Sequence, residues 1–79
     1  GDGLNDDLKP KYYGIKTLDY FIVYNRWGQK VFETKDMSKG WDGKLKGIPQ
    51  ATGTFVWIVQ ATDYVGEVLK QKGTVVLIK

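Results

Sequence analysis

The sequence predicts an all-β domain, a small antiparallel Ig-like β-sandwich of about seven strands. Ten glycines interrupt nearly every stretch long enough to hold a helix. The two longest glycine-free stretches, residues 15–27 and 54–65, are rich in β-branched and aromatic residues, which favour strands. A chain of 79 residues can bury one hydrophobic core only. Residues 1–79 are therefore predicted to be a single domain.

The first hairpin is predicted to begin with a strand at residues 18–25. Strict alternation divides its apolar side chains between two faces, with Leu18, Tyr20, Ile22 and Tyr24 on one and Phe21 and Val23 on the other. Because both faces are apolar, we expect a central strand that is covered on both sides. Asn25 and Gly28 are typical hairpin-turn residues, and residues 29–33 return as a shorter strand.

A long irregular connection is predicted at residues 34–53, where Asp, Gly, Ser and Pro recur. Connections of this length usually have a packed interior or a function, and we expect Trp41 and Ile48 to hold this one against the core. The longest apolar run follows and predicts a strand at residues 54–62. Residues 63–66 then read as a four-residue turn.

The last segment, residues 67–79, contains Gly73 at its middle, which indicates either a bulge or a close backbone approach. Lys70 and Lys72 share one face of this segment. Residues 75–78 are apolar on both faces, so we expect the end of the chain to be a paired strand that folding requires.

Composition argues against an enzyme. Cysteine and histidine are both missing from the sequence, which excludes disulfides, thiolate nucleophiles, imidazole bases and the zinc sites built from them. The single arginine argues against a bidentate arginine cluster for phosphate. The net charge of +3 is unevenly placed, since the first eight residues carry −3. The lysines are spread along the rest of the chain, a pattern that does not favour nucleic-acid binding.

The opening segment, residues 1–7, brings hard oxygen ligands together around two glycines, with Asp2, Asn5 and Asp6 as the candidate ligands. Ca²⁺ prefers such ligands, and the local charge of −3 calls for neutralisation. Asx turns that bind their own backbone explain the same residues. A weak Ca²⁺ site and simple turn chemistry both stay open. No other cofactor is predicted.

A second motif is Asn25, Arg26, Trp27 and Gly28 at the corner of the first hairpin. Trp27 can serve as a stacking platform, with Arg26 beside it in a cation–π contact. The favoured interpretation is structural: Trp27 folds over the end of the sandwich, and Arg26 pairs with a carboxylate or with loop carbonyls.

A third motif is Gly40, Trp41, Asp42 and Gly43 within the long connection. We expect Asp42 to accept hydrogen bonds from its own turn while Trp41 packs inward. A carboxylate pair with Asp36 would resemble a glycosidase site, but nothing in the sequence fixes the distance between the two groups.

Together these motifs resemble a known family. In order, the chain contains Gly-Asp-Gly-Leu-Asn-Asp at 1–6, Tyr-Asn-Arg-Trp-Gly-Gln at 24–29, Gly-Trp-Asp-Gly at 40–43, Gly-Thr-Phe-Val at 53–56 and Lys-Gly-Thr-Val-Val-Leu-Ile-Lys at 72–79. This arrangement resembles the gliding motility-associated C-terminal domain of Bacteroidota proteins, which is the type B sorting domain of the type IX secretion system. The resemblance covers essentially the whole chain.

The resemblance implies a C-terminal secretion signal rather than an enzyme, cut from the end of a larger exported protein. The outer-membrane translocon would read the folded domain in the periplasm, with an outer-membrane protein of the gliding-motility type as partner. The cargo would then reach the cell surface or the medium. We expect a monomer that neither spans a membrane nor binds nucleic acid.

Charge and exposure suggest the contact residues for such a partner, namely Lys70, Lys72 and Lys79. The alternative function is an adhesive or carbohydrate-binding β-sandwich with Trp27 and Trp41 as platforms. Burial of the two rings would argue against this alternative.

Overall fold

The computed structural model describes residues 8, 10, 12–45, 48–49 and 53–77, with 48–49 described by their backbone alone. All regular structure in these residues is β-strand, so none of it is a helix that could cross a membrane. The strands are β1 Ile15–Tyr24, β2 Lys30–Thr34, β3 Lys44–Leu45, β4 Ile48–Pro49, β5 Gly53–Asp63 and β6 Val68–Leu77.

Four strands form one antiparallel sheet in the order β2-β1-β5-β6, while β3 and β4 pair separately. The predicted all-β antiparallel class is confirmed, and β1 is central as expected. The described residues form six strands, four long or medium ones and two of two residues each, where about seven were predicted. In the described part of the 34–53 connection, the regular structure consists of β3 and β4, and turn-forming residues flank them.

The buried core lies between this sheet and the connection that follows β2. Its buried side chains are Leu18, Phe21, Val23, Val31, Trp41, Phe55, Val59 and Ala61. Trp41 packs on Phe55 with 4.8 Å between ring centroids. The backbone of Leu8 pairs with that of Trp41 through hydrogen bonds of 2.8 and 2.9 Å. The chain before β1 and the connection after β2 therefore cover the core together.

A bulge in β1 corrects the predicted division of its faces. The register of β1 against β5 shifts between Leu18 and Tyr20, so one extra residue enters the strand there. Leu18 consequently lies on the core side with Phe21 and Val23, and the prediction that it shares a face with Tyr20 was wrong. The carboxylate of Asp19 at the bulge accepts hydrogen bonds from Gln60 and Thr62 of β5.

Gly73 lies directly opposite Trp57, and the two strands continue past this point without a register shift. A Cβ atom added at Gly73 would lie 2.5 Å from Cζ2 and 2.8 Å from Cε2 of the Trp57 ring. Of the two interpretations of Gly73, the close approach is confirmed and the bulge is not formed. The glycine leaves space for an indole ring on the core side of the sheet.

Replacing Gly73 with alanine should therefore destabilise the domain. The added methyl group overlaps the Trp57 ring, and relief requires the ring or the strand to move, at a cost of about 1–3 kcal/mol. Thermal denaturation followed by circular dichroism measures this, with an expected loss of roughly 4–8 °C for each kcal/mol. The matched control is Gly53→Ala, where an added Cβ meets nothing within 4 Å. Equal melting temperatures for the two variants would contradict the prediction.

Candidate partner-binding surface

The face of the sheet opposite the core carries both apolar and charged side chains. We call it the open face and define it by Tyr20, Ile22, Tyr24, Val56, Ile58, Gln60, Lys70, Lys72, Thr74 and Val76. Pairing aligns these residues in rows across the strands, such as Ile22, Ile58 and Lys72. None of these side chains is fully buried, and the described core lies wholly on the other side. The predicted covering of β1 on both sides is therefore not found among the described residues.

Lys70 and Lys72 of β6 lie on the open face and are exposed, which confirms that they share a face. Lys70 stands opposite Gln60 and Lys72 opposite Ile58. Within the described part of the chain, neither lysine forms an ion pair. Lys79, the third predicted contact, lies outside the described residues. The β6 edge of the open face therefore carries two positive charges beside apolar side chains.

The opposite edge of the open face is electrically neutral. Lys30 and Glu33 of β2 form an ion pair of 2.7 Å, and their strand partners Tyr24 and Ile22 place them on the same face. Their mutual hydrogen bond lowers the pKa of Glu33 and raises the pKa of Lys30. Both groups are exposed, so water screens the pair and its effect on stability is small. The open face is consequently basic at its β6 edge only.

The hairpin tip at residues 25–29 is closed by one side chain. The Asn25 Oδ1 atom accepts hydrogen bonds of 2.9 Å from the backbone N–H groups of Trp27 and Gln29. Backbone bonds link Asn25 with Gln29 and with Gly28, which adopts a φ of 84° that favours glycine. The predicted turn is confirmed, and four of its backbone N–H groups donate hydrogen bonds within the turn itself.

Trp27 lies at the apex of this tip and is 77% exposed. The guanidinium carbon of Arg26 lies 4.5 Å from the centroid of its ring, a cation–π contact. The favoured interpretation, in which Trp27 folds over the sandwich and Arg26 pairs with a carboxylate or loop carbonyls, was wrong. Trp27 instead lies exposed on the turn that the Asn25 side chain closes.

The turn at residues 63–67 repeats the same hydrogen-bond frame. The Asp63 Oδ1 atom accepts from the N–H groups of Val65 and Glu67, and Gly66 has a φ of 89°. The backbone bonds between the first and last residues of the turn are also the same. Both turns were predicted from the sequence but their equivalence was not, although both contain Asn or Asp, then two residues, Gly, and Gln or Glu.

The Gly40 to Gly43 motif is structural. Trp41 is 3% exposed, and its Nε1 atom donates a hydrogen bond of 2.9 Å to the backbone oxygen of Lys44. Asp42 accepts from the N–H group of Lys44, as expected of a turn that binds its own backbone. Gly43 is buried beside Leu77, with a φ of 85°. Inward packing of Trp41 is confirmed, and the carbohydrate platform built from Trp27 and Trp41 together is excluded.

The proposed cation ligands Asp2, Asn5 and Asp6 lie outside the described residues. The weak Ca²⁺ site at this opening segment therefore stays a prediction, as does the alternative in which the segment forms Asx turns.

The described residues thus form an antiparallel β-domain with a partly apolar open face and an exposed, hydrogen-bonded tip. The chain matches the family model of the CHU_C type IX secretion signal domain over residues 1–77, nearly its whole length. It therefore belongs to the type IX secretion signal domain family, which confirms the resemblance drawn from the motifs. The family is described as a secretion signal domain. Searches of curated proteins and of solved structures gave no match.

Proposed function

We propose that this domain is a C-terminal secretion signal, and that the outer-membrane translocon of the type IX secretion system recognises it in its folded form. Membership in the secretion-signal family supports the class of function. The observation that supports recognition in the folded form is the open face, where Ile22, Ile58 and Lys72 lie in one row across the strands. These residues are far apart in sequence, so an unfolded peptide would not present them together.

Charged and apolar side chains have different roles in partner recognition on this surface. Rim charges mainly set the rate of encounter and the choice of partner, whereas apolar contacts beside them supply affinity. Lys70 and Lys72 lie at the rim of the open face, and Ile58 and Val56 lie inside it. The expected partner surface is therefore apolar at its centre and acidic along one side.

The partner proposed for this surface is an outer-membrane protein of the gliding-motility type. The domain would meet it as a monomer in the periplasm, and the attached cargo would then reach the cell surface or the medium. Each of these steps follows from the resemblance to the type B sorting domain. Neither membrane spanning nor nucleic-acid binding by the domain is part of this function.

The experiment is an export assay in a Bacteroidota host. The 79-residue chain is fused to the C-terminus of a fluorescent reporter that carries a periplasmic signal peptide. The reporter should appear at the surface or in the medium in the wild-type host and stay in the periplasm in a strain without the type IX translocon. A reporter that stays in the periplasm of the wild-type host, although the domain is folded, rejects the proposed function.

Reversing the charge of Lys70 and Lys72 to glutamate should lower the initial export rate by about tenfold, since steering by complementary charge is lost. The melting temperature should hardly change, because exposed substitutions usually alter stability by less than about 0.5 kcal/mol. The matched control reverses Lys35 and Lys39, which are equally exposed but lie on the connection after β2. Normal export of the Lys70 and Lys72 variant would reject the open face as the contact surface, while the sorting function would stand.

A further inference from the structure

Trp27 is a large aromatic side chain exposed on a hydrogen-bonded turn. Its ring is 77% exposed, although an indole is among the side chains that gain most from burial. The turn beneath it is fixed by Asn25, whose side chain also donates to Gln29 Oε1 at 3.0 Å. A partner that binds this tip would therefore spend little conformational entropy on ordering it.

Nothing in the turn itself requires a tryptophan at this position. The equivalent position of the 63–67 turn is occupied by Val65, which is 80% exposed on the same hydrogen-bond frame. The frame is therefore built with an aliphatic residue at its apex as readily as with an indole. The large ring of Trp27 serves neither the turn nor the core, to which it does not belong.

Arg26 places a hydrogen-bond donor beside this exposed ring. Its guanidinium lies over the indole, and no carboxylate among the described residues pairs with it. A guanidinium stacked on a ring keeps its N–H edge free for bidentate hydrogen bonding to a carboxylate. Tryptophan and arginine are also the residues that most often anchor protein–protein interfaces.

The tip continues directly from the open face. Tyr24 is the last residue of β1 and belongs to the open face, and the tip begins at the next residue. No residue separates Tyr24 from the tip. A partner bound to the open face near Tyr24 and Val56 would therefore also lie beside the tip. One partner can therefore engage both surfaces.

We propose that Trp27 and Arg26 form a docking anchor for the translocon protein that reads this domain. The indole of Trp27 enters an apolar pocket of that protein, and Arg26 pairs with a carboxylate at the rim of the pocket. This inference rests on the proposed function and specifies a second contact beyond the open face. The exposed valine of the 63–67 turn, at the far end of the sheet, takes no part.

The test uses the reporter fusion with three substitutions, Trp27→Ala, Trp27→Phe and Val65→Ala. Loss of an interface anchor commonly weakens binding by more than tenfold, so Trp27→Ala should lower the initial export rate by about that factor. Trp27→Phe keeps an aromatic ring and should retain most of the export. Val65→Ala removes an equally exposed side chain from an equivalent turn and should export like the wild type. Thermal denaturation of all three variants should match that of the wild-type domain.

The outcomes separate this inference from the function on which it rests. If the wild-type fusion is not exported, the proposed function fails and the docking anchor fails with it. If the wild-type fusion is exported and Trp27→Ala is exported equally well, only the anchor is overturned. Retention of the domain on an immobilised acidic polysaccharide that Trp27→Ala abolishes, with export unchanged, would also overturn it and would assign the ring to glycan binding. An equal loss of export in Val65→Ala would overturn the specific role of Trp27.

Discussion

A chain that ends at Gly73 should show no cooperative thermal transition. Truncation there removes the last four described residues of β6 and with them the pairing of Val75 with Phe55 and of Leu77 with Gly53. Val75 and Leu77 pack against the core, and full burial of such a side chain is worth roughly 1.5–3 kcal/mol. A domain of this size has a total stability on the order of 5 kcal/mol, so a loss of this magnitude should unfold it.

A pair of neighbouring substitutions controls for the loss of chain length. Val75→Asp places a carboxylate on the core side of β6 and should reproduce most of the destabilisation. Val76→Asp places it on the open face, where Val76 is 58% exposed, and should leave the melting temperature close to that of the wild type. A cooperative transition in the truncated chain would mean instead that the end of β6 is a detachable tail, free for capture by strand addition to a partner.

The truncation also bears on how the signal is read. The shortened chain keeps Lys70 and Lys72 in sequence but loses the fold that places them beside Ile58. If export depends on the folded surface, the truncated fusion should stay in the periplasm. Export of an unfolded, truncated fusion would show that a linear segment is sufficient and would contradict recognition in the folded form.

Replacing Trp41 with alanine should destabilise the domain by about 3–5 kcal/mol, the usual cost of removing a large buried ring. The substitution removes the packing of the ring on Phe55 and the hydrogen bond to the backbone oxygen of Lys44. It also leaves a cavity where the chain before β1 meets the connection, because the backbone of Leu8 pairs with that of Trp41. Chemical denaturation followed by circular dichroism measures the free energy of unfolding.

Trp27→Ala is the matched control, since it removes the same side chain from an exposed position. Its free energy of unfolding should equal that of the wild type within about 0.5 kcal/mol. The two substitutions should thus have opposite effects. Trp41→Ala should impair folding, whereas Trp27→Ala should impair partner binding and leave folding intact. Similar stabilities for the two variants would contradict the structural assignment of Trp41.

Elements set by short-range chemistry could be predicted from the sequence. The strands β1, β2, β5 and β6 lie where β-branched and aromatic residues predicted them, and turns follow Asn25 and Asp63 as their side chains suggest. Gly73 signalled a close approach although its partner Trp57 could not be named. The five motifs from 1–6 to 72–79, taken together, indicated the secretion-signal family that the family model then confirmed.

Tertiary structure decided which of these side chains is buried and which is free. Trp27 and Trp41 each belong to a short motif with glycine, yet one is exposed and the other is buried on Phe55. Leu18 changed faces because a bulge opposite β5 shifted the register of β1. The open face likewise exists only where strands that are distant in sequence align. Strand and turn preferences act between neighbouring residues, whereas burial depends on which distant segment packs against a side chain, and only the folded chain determines that.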